Sequence, residues 1–275
     1  MNVAQPDGPN RDKRYLAIVV EPIRVCATYK PKMGCGPAGC DLRSFQTLYR
    51  SDPFYAWFGL DNPLMYAAHK AAGGMTSLYR QIGIGCEHLF RQVLQDELEL
   101  AADEATWSYE VTGANRKIRT LSLDGRIPLD AIRTEPATKA RVRKWIQDEA
   151  KELGVDEQIA AQLKGVVFEV RQGYKSKDSK RQNADISNAA TAYTKAYLPC
   201  VVVMSNQIDA DILIRYRAEK WAVLTASTAR SSALQSTYVF FREIIGYDLA
   251  GFFERHSSTL KNEVAAVLEK LLTPD

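Results

Sequence analysis

The stretch GVVFEVRQGYKSKDSKRQNADI, residues 165–186, runs from an apolar strand directly into a charge-dense loop. Strand alternation puts Glu169 and Arg171 on one face and Phe168, Val170 and Gln172 on the other, so a buried strand delivers two charged groups. Within 171–181, five of eleven positions are basic (Arg171, Lys175, Lys177, Lys180, Arg181) against the single acid Asp178, a local signature for phosphate. The plain alternative is a solvated basic loop behind a strand whose Glu makes an ion pair, the commoner fate of an arbitrary charge run. Which reading holds depends on what stands beside the strand.

Two further acids occupy suggestive positions. The segments TWSYEV (106–111) and RKIRTLSLDGRI (116–127), separated by the turn residues Thr112-Gly113-Ala114-Asn115, read as a β-hairpin. Asp124 emerges where the apolar pair Leu121 and Leu123 stops, and an Asp before a Gly is usually only a turn residue. If the strands at 118–124 and 166–172 are neighbours, however, Asp124 and Glu169 can share a divalent cation, since hard oxygen ligands at strand ends suit Mg²⁺. Two acids with adjacent cations are equipment for phosphodiester hydrolysis: the metal acidifies the attacking water and neutralises developing charge, and the basic groups orient water or phosphate. Ahead of the hairpin, 76–100 carries Leu78, Ile82, Leu89 and Val93 on one helical stripe, with Glu87 on another face. The glycines at 83 and 85 cost helix stability and imply close approach of another element, so Glu87 is a third acid that can line the same cleft.

The rest of the chain alternates helix and strand. Residues 1–14 are polar and expected to fray, YLAIVV (15–20) reads as a short apolar strand or core segment, and 15–75 form an arm or subdomain of irregular structure and short helices. Helical patterns follow at 137–152 and 155–163, then the 165–172 strand, a helix at 185–198, the apolar strand CVVVM (200–204), and an amphipathic helix at 259–272. IDADILIRYR and WAVLTA remain open between strand and helix. RVRKW (141–145) reads as a solvated helix face with Trp145 packed inward.

Composition excludes several classes. With 46% hydrophobic and 25% charged residues the chain has enough apolar material for a core, unlike disordered or collagen-like sequences. No run approaches the length of a membrane helix, and the polar start MNVAQPDGPNRDKR lacks a signal-peptide core, so a cytoplasmic protein with no membrane partner is expected. Five cysteines are an odd number with no framework spacing, and Cys35 and Cys40 are read as two thiols on a turn, without zinc. His69, His88 and His256 lack metalloprotease spacing, and no Gly-rich segment has the Lys-Ser/Thr of a nucleotide cradle. A net charge of +3 does not by itself announce a polyanion partner, so any nucleic-acid signal is local.

The order of elements, a helix with an acid, a hairpin ending in Asp124, a strand with Glu169-x-Arg171, then helix and strand, resembles the core of the PD-(D/E)XK nuclease superfamily over roughly residues 76–205. With the Lys-rich loop and the chain length it is most similar to a type II restriction endonuclease. The resemblance implies an α/β fold, a mixed central sheet flanked by helices, with a catalytic core over 76–275. It implies Asp124 and Glu169 as Mg²⁺ ligands, with Arg171 at the motif's Lys position. It further implies double-stranded DNA as partner and a homodimer or higher oligomer. Three departures stand out: Leu123 replaces the motif's Pro, Arg171 is always protonated and cannot take a proton, and forty-four residues separate the two acids. Lys175 or Lys177 can supply the ammonium instead, and Glu110 and Asp130 are the substitutes for Asp124. Lys175, Lys177, Lys180, Arg181, Gln182 and Asn183 form the expected DNA-binding set, the last three suited to base edges. Rival readings are a repair or recombination nuclease of the same superfamily, a non-catalytic nucleic-acid-binding protein, and a metabolic enzyme whose lysines hold an acidic substrate.

Overall fold

A computed structural model describes residues 8–112, 118–174, 188–228 and 232–274. The chain divides into two compact units, one from the chain up to Gly85 together with Glu254 onward, the other from Cys86 to Phe253.

The first unit is helical. YLAIVV, expected as a strand or core segment, is a core segment but lies inside helix α1 (Gly8–Val25), which also includes residues 8–14 expected to fray. Tyr15, Val19, Val20 and Ile23 are the residues it buries, a helical stripe that a six-residue apolar run cannot distinguish from a strand without its flanks. The arm holds α2 (Leu42–Ser51) and α3 (Pro53–Trp57), capped by Asp41 and Asp52, whose carboxylates accept the N–H groups of Ser44 and Phe54. The long helix α4 (Pro63–Leu98) starts well before the expected Thr76. At Gly85 an added Cβ would sit 3.1 Å from the Val19 carbonyl oxygen, so the close approach there is that of α1, whereas at Gly83 it would meet nothing within 4 Å. Cys35 and Cys40, expected as thiols, form a disulfide across a turn in which Gly34, Gly36 and Gly39 take positive φ and bring the two Cα atoms to 5.4 Å.

The second unit is built on β-structure. Strands β1 (Trp107–Thr112) and β2 (Ile118–Leu123) form the expected antiparallel hairpin, Trp107 opposite Leu123. The segment 116–127 is not one strand, because the chain breaks at Asp124 and continues as β3 (Gly125–Pro128) in a separate four-stranded sheet. That sheet runs β3, β4 (Gly165–Arg171), β5 (Tyr197–Val203), β6 (Ala222–Leu224); β3 is antiparallel to β4, and the other pairs are parallel. Helices α5 (Pro136–Glu152) and α6 (Glu157–Ala161) connect β3 to β4. Helix α7 (188–194) precedes β5, and α8 (Ala210–Ala218) leads to β6. The open segment IDADILIRYR thus supplies a helix and WAVLTA a strand, while β5 begins three residues earlier than expected, shortening the preceding helix.

Alternation along β4 separates two cores. Val167 joins Trp107, Tyr109, Val201, Val203, Ile212, Tyr216 and Trp221 on one face, with Ala189 and Ala192 of α7. Phe168 faces the other way, its ring 4.9 Å from Phe90 of α4 and 5.9 Å from Phe240 of α9 (Thr237–Phe240). Trp145 of α5 packs against Phe240 with ring centroids 4.6 Å apart and planes tilted by 53°, and donates its indole N–H to the Ala233 carbonyl. The chain closes with α10 (Leu249–Leu272), whose second half is the expected amphipathic segment. Mixed sheets flanked by helices are therefore the architecture. Among the described residues no helix is long and apolar enough to cross a membrane.

Candidate active site

Register across β3 and β4 pairs Gly125 with Phe168, which sets Asp124 one step outward, beside Glu169 and Val170. Asp124 Oδ2 accepts the backbone N–H of Val170 at 2.9 Å, so the carboxylate is tied directly to the glutamate-bearing strand. The neighbouring position must be glycine: a Cβ on Gly125 would lie 2.7 Å from the buried Phe90 ring. Asp124 is fixed from other sides as well. Arg91 of α4 donates Nη1–H to its carbonyl at 2.9 Å. Two residues on, Arg126 donates to the carbonyls of Glu104 and Asp103 at 2.9 and 3.0 Å, and its own N–H bonds the Ala105 carbonyl at 2.9 Å. Arg133 grips the Glu104 carboxylate through two bonds of 2.6 and 2.7 Å and, with the Ala101 N–H, holds its pKa down at about 2.

Glu169 and Arg171 lie on the same face of β4, as alternation requires, and form an ion pair through Oε1 and Nη2. Their side chains are only 8% and 12% exposed, which makes this a pair largely removed from water. A buried charge needs such a partner, because desolvation costs several kcal/mol per ion. The strand then turns at Tyr174, whose hydroxyl shares a 3.1 Å hydrogen bond with that of Tyr216 and whose N–H bonds the Gln207 carbonyl at 2.6 Å. Lys175, Lys177, Lys180, Arg181, Gln182 and Asn183 lie outside the described residues.

On α4, Glu87 is half-buried, and His88 beside it is largely exposed. The His88 ring is nonetheless partly desolvated, and its pKa falls below the ordinary imidazole value, first through that burial and then through the Arg91 charge, with Asp124 opposing. His88, Arg91 and Asp124 thus form one electrostatic neighbourhood. Glu110 and Asp130, the substitutes for Asp124, belong elsewhere: Glu110 is exposed opposite Thr120, and Asp130 pairs with Lys139 at 3.2 Å in solvent. RVRKW behaves as expected for a helix face with Trp145 inward; Lys144 bonds Asp148, and Arg141 donates to the Ile244 carbonyl at 2.9 Å.

The sequence reading does not single out Arg91, and it weighs His88 only for metalloprotease spacing, which it lacks. The signal available was the spacing of Glu87 and Arg91, four apart on a helix, which places an acid and a base on one face with His88 adjacent.

Among the described residues no group of three or more His, Cys, Asp or Glu side chains gathers as a metal set. The local donors are two carboxylates, and Mg²⁺ commonly takes one or two from the protein while waters and phosphate oxygens fill its octahedron, so the pair fits that ion. Compared with protein-family models, curated proteins and solved structures, the chain has no match.

Proposed function

We propose that this protein is a Mg²⁺-dependent endonuclease acting on double-stranded DNA, of the restriction-endonuclease kind within the PD-(D/E)XK superfamily. The observation that carries the reading is the Asp124 carboxylate bonded to the Val170 N–H, which puts two acids and a guanidinium at the junction of two antiparallel strands despite forty-four intervening residues. The sequence made the pair conditional on 118–124 lying beside 166–172; it is β3, the segment following Asp124, that pairs with β4 instead.

In this reading Asp124 and Glu169 offer hard oxygens to Mg²⁺, and the ion when bound acidifies a water and offsets phosphate charge. Arg171, held by Glu169, offers a charge-assisted donor to a phosphate oxygen but cannot accept a proton. His88, neutral near pH 7 because its pKa is lowered, is a group beside Asp124 able to accept one. Lys175 and Lys177 add positive charge to the phosphate, and Lys180, Arg181, Gln182 and Asn183 follow the strand and read base edges. A palindromic site would call for a symmetric dimer.

The test is incubation of the full chain with long duplex DNA of known sequence, with Mg²⁺ or with EDTA, beside Glu169→Gln and Asp124→Asn. Discrete fragments made only by the parent and only with Mg²⁺ are expected. The Glu169–Arg171 pair also favours a second reading, a nucleic-acid-binding protein in which the acid serves the ion pair alone. Intact DNA, with binding that weakens steeply in salt, would select that alternative.

A further inference from the structure

At the C-terminal end of α5, in the second unit, Glu149 is 2% exposed, and its Oε1 meets no hydrogen-bond partner among the described residues. It lines a recess of about 210 Å³ together with Glu152 of the same helix, Arg217 at the end of α8, the small wall of Ala222 and Val223 on β6, and Ser232 and Gln235. A buried acceptor without a donor costs roughly 1–3 kcal/mol, more when charged, and native structures rarely leave such a group unanswered.

The surroundings say what would answer it. Burial raises the Glu149 carboxyl to about 8, Arg217 pulls it down, and Glu152 and Asp148 push it further up. From the other packed elements, Tyr193 of α7 and Cys200 of β5 face the same charge; both are raised, by burial first and by Glu149 second, and stay protonated at neutral pH. Tyr193 already donates to the Lys220 carbonyl at 2.7 Å, so its proton is committed elsewhere. The recess is therefore lined by two carboxyl groups, the acid Glu149 and Glu152, and by one guanidinium, Arg217, together with the Ser232 hydroxyl and the Gln235 amide. Its volume lies below the ~300 Å³ at which pockets for drug-sized ligands begin, which excludes a nucleotide.

We propose that this recess binds a small amino-acid-like zwitterion, its ammonium group held by Glu149 and Glu152 and its anionic end turned toward Arg217. The ligand arrives as an ammonium, so the Glu149 carboxylic acid loses its proton to solvent as the ion pair forms. Binding at pH 7 therefore releases up to one proton per site. The site stands apart from the nuclease reading and does not depend on it.

Isothermal titration of the full chain with glycine, alanine and serine, and separately with methylammonium chloride, sodium acetate and MgCl₂, tests this. At pH 7 the amino acids are expected to bind roughly tenfold or more tightly than methylammonium or acetate, each of which forgoes one charge-assisted contact. The measured heat is expected to differ between two buffers of unlike ionisation enthalpy. Glu149→Gln, isosteric with a group already largely protonated and checked for folding by circular dichroism, is expected to weaken binding by about tenfold or more. Arg217→Ala is expected to bring glycine down to the methylammonium level. No heat from any amino acid, equal binding by Glu149→Gln, or preference for Mg²⁺ or acetate would overturn the proposal.

Discussion

Glu149 and Glu169 stand twenty residues apart in the same unit, one on the last turn of a helix and one on the central strand, and are 2% and 6% exposed. Their environments are opposite. Glu169 has a guanidinium two residues along its own strand, delivered to the same face by the strand's period, and is held charged in an ion pair. The charges of its own helix that act on Glu149 are acids, Asp148 and Glu152, and the pull of the Arg217 cation is outweighed by burial. Equal burial of one residue type thus yields a carboxylate in one place and a carboxylic acid in the other. The spacing of local charge decides which, and with it whether the site suits a metal and phosphate or an incoming ammonium.

The largest effect expected from this contrast is on chemistry. If the charge at Glu169 is the functional one, Glu169→Gln and Asp124→Asn lower Mg²⁺-dependent cleavage by roughly two orders of magnitude or more, while Glu149→Gln leaves it unchanged. Asp124→Asn keeps an oxygen for the Val170 N–H, so its loss of activity, measured with an unchanged melting temperature, reports charge and not strand pairing. Next in size is the ion pair itself. Arg171→Ala removes the guanidinium from a buried carboxylate and is expected to cost about 3–5 kcal/mol in a denaturant melt, with Glu169→Gln/Arg171→Met together recovering most of it. Equal stability of Arg171→Ala and the parent would mean that Glu169 does not need this cation.

How much of this was legible in the sequence follows the same line between local and distant causes. The 165–171 strand, its charged face, the hairpin, α5 and the second half of α10 were all readable, because period and caps are set within a few residues. For YLAIVV the core placement was readable and the helix was not, because six apolar residues carry no period of their own and α1 is decided by what flanks them. The Cys35–Cys40 bridge depends on three glycines folding the turn, which residue counting does not weigh. At the site, Asp124 and Glu169 were named as a pair on the condition that 118–124 lies beside 166–172; instead the strand ends at Asp124 and 125–128 continues into the other sheet, next to β4. Arg91 and Glu149 were invisible for a shared reason: what matters about each is a partner, or its lack, that only the fold supplies.

Glu149, whose Oε1 has no hydrogen-bond partner among the described residues, predicts a pH dependence. Its folded pKa of about 8 lies above the ordinary value of 4.5, so the folded chain holds a proton that the unfolded chain releases. Its contribution is fully present below the unfolded value and is lost as pH rises through the folded one. Stability is expected to fall by roughly 2–3 kcal/mol between pH 5 and 7 from this group alone, and Glu149→Gln is expected to flatten that slope by as much. Chemical denaturation of both proteins at several pH values measures it. An identical slope in the two would place Glu149 on the charged side of the comparison, with Glu169.

The smallest effect separates burial from charge as the cause. Glu152 raises the Glu149 pKa, but less than desolvation does, and its own side chain is exposed where water screens it. Glu152→Gln is therefore expected to lower the Glu149 pKa by only a fraction of a unit, read from the pH dependence of its side-chain carboxyl carbon by NMR. Arg217→Ala, which removes the opposing cation, is expected to move it upward. A large drop in Glu152→Gln would make like-charge repulsion the dominant cause. Glu149 and Glu152 would then titrate as a coupled pair sharing one proton, and the contrast with Glu169 would be one of neighbouring charge rather than of solvent.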